Sequence, residues 1–150
     1  MKQIKAFFIT IFSTIASLLG ALAIPVAVLI ISNIIDYITG IAAGPKRGQK
    51  IDSYKSFRGI WKKVCMWLLI LIGALIDWML MSACTTVGIN IPFDFVVSIV
   101  VATWLVFNEL ISILENMMDI GVDIPPFLMP LVKNLKKQTE DKATLEEGDQ

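Results

Sequence analysis

A single acid, Asp77, is the most unusual chemical feature of this chain, because it lies in an otherwise uncharged stretch from residue 64 to residue 93. An ionised carboxylate deep in a bilayer costs about 2.5–3.5 kcal/mol or more, so such a group usually faces a bundle interior or water. The residue therefore suggests a pore or a contact between subunits. The alternative is an acid that reaches the membrane surface or stays protonated.

A second set of polar side chains lies within the segment FNELISILENMMD, residues 107 to 119. Spacings of three and four residues place them along one face of a helix. The preceding apolar stretch, 93 to 107, is too short to cross a membrane, so we expect this stripe to begin inside it. It could line water or pair helices, or it could be a solvated face. Its pore or oligomer contacts would be Asn108, Glu109, Ser112, Glu115 and Asn116.

A third polar group follows residues 6 to 35, which carry no charge. Asn33, Asp36, Tyr37 and Gly40 share one helical face by the same spacing. We expect this face either to pack helices between subunits at the inner interface, or to hold a boundary acid. In the second case Asp36 pairs with the basic loop, for example with Lys46 or Arg47, and Tyr37 anchors the interface.

Three apolar stretches must position these groups, in a chain of 150 residues that is 56% hydrophobic. Roughly 20 apolar residues cross a bilayer as a helix, so we predict an all-α membrane protein with three spans, at about 12–40, 64–84 and 93–114. The first segment is long enough to require a kink near Gly20–Pro25. A four-span alternative would place an apolar turn in lipid, which is costly. We expect the third helix to continue beyond its span to Ile120, where Gly121 ends it. An amphipathic helix at about 126–138 and a disordered acidic tail at 139–150 complete the chain.

Basic residues are concentrated between the first two spans and in the predicted C-terminal helix. Short basic loops beside membrane spans are cytoplasmic, so we expect the C-terminus inside and the N-terminus outside, although Lys2 and Lys5 oppose this. Nucleic-acid binding is the weaker interpretation of the same loop. The expected membrane-surface residues are Lys46, Arg47, Lys50, Lys55, Arg58, Lys62, Lys63, Lys133, Lys136 and Lys137.

Catalytic and cofactor chemistry is not expected. The chain has no histidine and two cysteines, Cys65 and Cys84, which lie about 28 Å apart on one predicted helix. We find no phosphate-binding loop, no nucleophile elbow and no acid–base pair with a substrate pocket. The sequence therefore predicts no enzyme, no metal site and no cofactor.

Three motifs together resemble the phage-lysis and toxin-secretion holin family of Gram-positive bacteria and their phages. They are D-Y-x-T-G at 36–40, S-x5-G-x2-K-K at 53–63, and N-E-x2-S-I-x-E-N at 108–116 followed by G-V-x-I-P at 121–125. The resemblance implies a protein of the bacterial cytoplasmic membrane that forms large homo-oligomers among the lipids. It would then let an endolysin or toxin leave the cell, without required direct contact. The alternatives are a small oligomeric channel or transporter, or a regulatory, antiholin-like adaptor.

Overall fold

A computed structural model describes residues 2–48, 53–89 and 95–143. Its described residues form five α-helices. They are α1 (Lys2–Leu19), α2 (Ala23–Ala43), α3 (Ser53–Thr86), α4 (Val96–Ile120) and α5 (Leu128–Ala143). Three helical stretches are long and apolar enough to cross a membrane, namely Gly20–Ala43, Gly59–Thr86 and Val96–Ile120. The all-helical, three-span architecture predicted from the sequence is confirmed.

The predicted kink in the first segment is also confirmed, at a short 3₁₀ turn, Gly20–Leu22, between α1 and α2. Gly20 has a φ of +50°, a left-handed conformation that only glycine adopts without strain. Pro25 lies in the first turn of α2, where its missing N–H removes no helical hydrogen bond. The break lets α1 leave the direction of α2, and Phe7 and Phe8 on α1 are exposed.

Helix α3 begins at Ser53, eleven residues before the predicted start of the second span. Much of the basic segment predicted as a loop is therefore helical, because it contains no proline between residues 53 and 63 and a single glycine, Gly59, is tolerated. The extension places Lys62 and Lys63 on α3 itself. Lys50 and the side chains of Lys55 and Arg58 lie outside the described residues.

Helix α4 ends as expected at Gly121, whose φ is +98° and whose N–H donates back to the carbonyls of Met117 and Met118. Helix α5 starts two residues later than predicted and continues to Ala143, so residues 139–143 are helical rather than part of a tail. The rest of the predicted acidic tail, 144–150, lies outside the described residues.

Helix α4 is the centre of the molecule and packs against α2, α3 and α5. Small and branched apolar side chains fill the space between α2, α3 and α4. The buried core consists of Leu22, Leu29, Met66, Ile70, Ala102, Leu105 and Val106. This core supports a polar region where the C-terminal half of α2, the start of α3 and the C-terminal half of α4 meet.

Candidate functional site

Lys63 joins three helices through one ammonium group. From α3, its Nζ donates to Oδ1 of Asn33 at 2.9 Å and to Oδ2 of Asp36 at 2.9 Å, both on α2. It also donates to Oε2 of Glu109 on α4. The side chains of Lys63, Asp36 and Glu109 are 21%, 16% and 7% exposed, so the cluster is largely shielded from solvent.

Asn116 forms the second node of the same polar network. Its Nδ2 donates to Oδ1 of Asp36 at 3.1 Å and to Oγ1 of Thr39 at 3.2 Å. Its Oδ1 accepts a hydrogen bond from Nη2 of Arg47 at 2.8 Å, and Arg47 also forms an ion pair with Asp119. The side-chain oxygen and nitrogen of Asn116 therefore both have partners, and Arg47, four residues after the end of α2, is bound to α4.

Pairing of these charges explains how polar residues are tolerated on such apolar helices. A lone carboxylate in a low-dielectric region is expensive, whereas one with a cation and further hydrogen bonds is much less so. The network concentrates two cations and three carboxylates at one end of the bundle. We call Asn33, Asp36, Lys63, Glu109, Asn116, Thr39, Arg47 and Asp119 the inner network.

Asp77 is separate from the inner network, and its carboxylate accepts hydrogen bonds from the first turn of α4. Its carboxylate accepts hydrogen bonds from the N–H of Val97 at 2.8 Å, from the N–H of Ser98 at 2.8 Å and from Oγ of Ser98 at 2.7 Å. The first N–H groups of a helix have no partner in their own helix. A buried acid on α3 thus caps α4 at its positive end.

The cap depends on close contact between α3 and α4. Gly73 lies one turn before Asp77, and a Cβ added to it would come 2.9 Å from Cα of Ser98. Small residues that let backbones approach are typical of helix pairs in membranes. Gly73 and Ser98 therefore set the distance at which Asp77 can reach the start of α4.

Comparison with known proteins identifies the family of this chain. A family model described as the bacteriophage holin family matches residues 13–137. The chain belongs to the bacteriophage holin family. The match includes every residue of the inner network, the Asp77 cap and most of α5.

Several relatives have similar length and no characterised function. An uncharacterised protein of Clostridium perfringens (strain 13 / Type A) is 30% identical over 82% of this chain and 83% of its own. One from Listeria innocua is 32% identical over 88% and 86%. One from Listeria monocytogenes is 35% identical over 77% and 74%. No solved structure matches the chain.

The structure divides the predicted stripe of this holin family member into two groups. Glu109 and Asn116 are buried in the inner network. Asn108, Ser112 and Glu115 are less buried and line a groove of about 680 Å³ between α3 and α4. Three residues of the inner network, Asp36, Lys63 and Glu109, form part of the same groove. We call Asn108, Ser112 and Glu115 the open stripe. Contacts of the stripe and of Asp77 with water or another subunit stay predictions.

The predicted face on α2 is also divided. Asn33 and Asp36 point to Lys63, and the amide of Asn116 lies 3.6 Å from the position of a Cβ on Gly40. Tyr37 is exposed, away from this contact. The face packs helices within one chain, and its predicted packing between subunits stays untested.

The basic residues predicted for the membrane surface fall into two environments. Lys63 and Arg47 are in the inner network, whereas Lys46, Lys62, Lys133 and Lys137 are exposed. Lys136 lies over the ring of Trp104, 5.0 Å from its centroid. Asp36 pairs with the basic segment as predicted, but its partner is Lys63 rather than the suggested Lys46 or Arg47, because α3 begins early enough to carry Lys63.

Sequence reasoning missed Ser98, Thr39 and the central position of Lys63. The spacing of Gly73 and Asp77, four residues apart, was an available signal that a close helix contact faces the acid. No local pattern distinguishes Lys63 from Lys62, because their difference arises from the packing of three helices. Among residues 2–48, 53–89 and 95–143, no group of three or more potential ligands could hold a metal ion.

Proposed function

We propose that this chain is a holin that assembles in the bacterial cytoplasmic membrane and permeabilises it, so that a cell-wall hydrolase or a toxin leaves the cell. The observation that supports this most is the open stripe. Asn108, Ser112 and Glu115 line a groove on a membrane-spanning helix, in a chain of the bacteriophage holin family.

Assembly is favoured because polar side chains of the open stripe that remain in contact with lipid raise the free energy of the single chain. The inner network supplies partners for Glu109 and Asn116 inside one chain. In the open stripe, Asn108 and Ser112 are half-buried in the groove and Glu115 is exposed. Contacts of polar side chains between membrane helices contribute about 0.6–2 kcal/mol each. A second copy, or water enclosed by several copies, would provide these contacts in every subunit.

The proposed orientation places the end with the inner network in the cytoplasm. Arg47, Lys62 and Lys63 lie at this end, and basic residues beside membrane spans favour the cytoplasmic side. The C-terminus would then be cytoplasmic and the N-terminus outside. The hydrolase or toxin is a functional partner, and nothing in this proposal requires it to touch the chain.

Controlled expression in a bacterium tests the proposal. Inducing the chain together with a wall hydrolase that lacks an export signal should collapse the membrane potential abruptly and then release the hydrolase. Ser112→Leu should delay or abolish both events, because it removes a polar contact of the open stripe. The matched control is Ser82→Leu on α3, an exposed serine away from the groove, which should keep normal timing.

Different outcomes separate the alternatives. Normal growth with abundant, inserted protein would contradict a holin and favour a regulatory, antiholin-like partner. Loss of potential while the hydrolase stays inside would favour a small channel, since ions but not proteins would cross. If Ser112→Leu and the parent chain lose the membrane potential and release the hydrolase at the same time, the open stripe has no role in assembly.

A further inference from the structure

We propose that α5 and the open stripe form one wall of a water-filled vestibule, which enters the membrane from the end of the bundle that carries the inner network. Further copies of the chain close the vestibule, so the inference rests on the assembly proposed above. It places α5 at membrane depth, with the exposed charges of this helix in water.

Helix α5 folds back along α4. Met118 and Met129 line one cavity beside the turn that follows α4. Farther from the turn, Nε1 of Trp104 donates to Oε1 of Glu140 at 2.6 Å. The two helices are therefore antiparallel. Between these two contacts Val132 is only 7% exposed, so α5 is packed against α4 along most of its length.

Two contacts between α3 and α4 give the depth of Trp104. Lys63 donates to Glu109, and a Cβ on Gly73 would meet the backbone of Ser98, so these helices are also antiparallel. Trp104 precedes Glu109 by five residues. It therefore lies about 7.5 Å from the level of Lys63, in the direction of the end of α3.

A membrane that α3 crosses includes this level. From Lys63, α3 continues for 23 residues to Thr86, which is about 35 Å. A hydrocarbon core of about 30 Å therefore begins within about 5 Å of Lys63. Leu68 lies at the level of Trp104 on α3 and is 50% exposed, an apolar surface that suits lipid. The end of α5, from Glu140 onward, thus lies at the depth of the hydrocarbon core.

The face of α5 that points away from α4 is polar. Spacings of one, three and four residues place five exposed side chains on this face, namely Lys133, Asn134, Lys137, Gln138 and Asp141. Because Glu140 is at the level of Trp104, Lys137 lies about 3 Å and Asp141 about 9 Å beyond the level of Lys63. Charged side chains at membrane depth usually face water or the interior of a bundle. Lipid is therefore a poor neighbour for this face.

The open stripe lies on the same side of the bundle as α5. Trp104 lines the groove that contains the open stripe, and the same side chain bonds to Glu140. Glu115 follows Glu109 by six residues and so lies about 9 Å from the level of Lys63 in the opposite direction from Asp141. A polar surface therefore extends over about 18 Å, from Glu115 on α4 to Asp141 on α5.

Direct packing of a second copy on this face is less favourable than water. The outward sides of α2 and α3 present side chains such as Ile34 and Leu71, which cannot pair with Lys137 or Asp141. Burial of a charge without a partner is costly, whereas water solvates it. Further copies can thus surround this face at a distance, and water fills the space between them.

The reactivity of single cysteines measures which side chains meet water in the membrane. Cys65 and Cys84 are replaced by alanine, and opened membranes from fully induced cells are treated with a charged methanethiosulfonate, which reacts with ionised thiols. Lys137→Cys and Asp141→Cys should react at least about 100-fold faster than Leu68→Cys, because ionisation of a thiol in hydrocarbon is costly. Leu68→Cys is the matched control, at the level of Trp104 but outside the grooves.

A crosslink tests whether α5 stays on α4 in the same membranes. Val101 and Thr139 line one groove, so a short bis-methanethiosulfonate should join Val101→Cys to Thr139→Cys within one chain. Dilution with a cysteine-free copy excludes links between chains, and mass spectrometry identifies the joined peptides. Leu68→Cys with Thr139→Cys is the control pair and should stay unjoined, because Leu68 does not line this groove.

Three results would overturn the proposal. Slow labelling of Lys137→Cys and Asp141→Cys with the crosslink formed would show that lipid or protein covers α5. Fast labelling without the crosslink would place α5 at the membrane surface. Equal rates for Asp141→Cys and Leu68→Cys would show that both positions lie in the same environment. None of these readouts measures membrane potential or release of a hydrolase, so failure here is distinguishable from failure of the proposed function.

Discussion

Lys63 determines how the charged residues of this chain are accommodated. Its ammonium is the cation that both Asp36 and Glu109 meet, and it also bonds to Asn33. The neighbouring Lys62, one residue earlier on the same helix, is exposed. Two adjacent lysines thus have different environments, because the side chains of successive residues in a helix point about 100° apart.

Replacing Lys63 with glutamine should destabilise the fold. Removing one partner of a buried ion pair costs about 3–5 kcal/mol, and an exposed pair contributes about 0–1 kcal/mol. Because 21% of the Lys63 side chain is exposed, we expect a loss of about 2–3 kcal/mol. Thermal unfolding in detergent, followed by tryptophan fluorescence, measures this as a lower Tm.

Lys62→Gln is the control and should leave the Tm unchanged. Adding Asp36→Asn and Glu109→Gln to Lys63→Gln should recover at least half of the lost stability, since the two unpaired carboxylates are then neutral. A Tm for Lys63→Gln equal to that of the parent chain would contradict the role of the inner network.

The position at which α4 begins depends on its contact with another helix, α3. Helix α4 starts beside the last third of α3, where Asp77 supplies acceptors for its first N–H groups. This contact exists only because Gly73 lets the helices approach. An acid and a glycine one turn apart on α3 therefore determine where α4 can begin.

Alanine substitutions at two glycines on α3 should change the stability of the fold in opposite directions. Gly73→Ala places a Cβ 2.9 Å from the backbone of Ser98, and such overpacking costs about 1–3 kcal/mol. Gly59→Ala meets nothing within 4 Å and should stabilise α3 by about 0.5–1 kcal/mol, the usual helical preference for alanine. Thermal unfolding in detergent compares the two, and a stable Gly73→Ala would show that α3 and α4 are less closely packed.

At the scale of the whole molecule, charge is separated along the bundle. Arg47, Lys62 and Lys63 lie at one end, and the described part of the α3–α4 connection, Val87–Ile89, has no charge. Three spans place these two regions on opposite sides of a membrane. The proposed orientation places the basic end in the cytoplasm, the side that basic residues beside membrane spans favour.

Cysteine labelling checks this orientation. In a background with Cys65 and Cys84 replaced by alanine, Lys46→Cys should react with an impermeant maleimide only after the cells are opened. Val87→Cys, at an exposed position, should react in intact cells. Labelling of Lys46→Cys from outside would reverse the topology, and labelling of both from outside would contradict three spans.

The sequence by itself determined the number of spans, the kink at Gly20 and the end of α4 at Gly121. These features depend on local properties, namely the length of apolar stretches and the conformational freedom of glycine. Local spacing also selected Asp36, Glu109 and Asn116, and the uncharged stretch around it singled out Asp77. Its motifs indicated the family that the comparison then showed.

Tertiary structure alone decided which of these residues meet. Lys63 was predicted only as a surface residue, and Ser98 carried no signal, because their partners lie on other helices and are distant in the sequence. The division between the inner network and the open stripe has the same origin. Helix periodicity places side chains on one face, but the rotation of α4 against α2 and α3 decides which part of that face is buried.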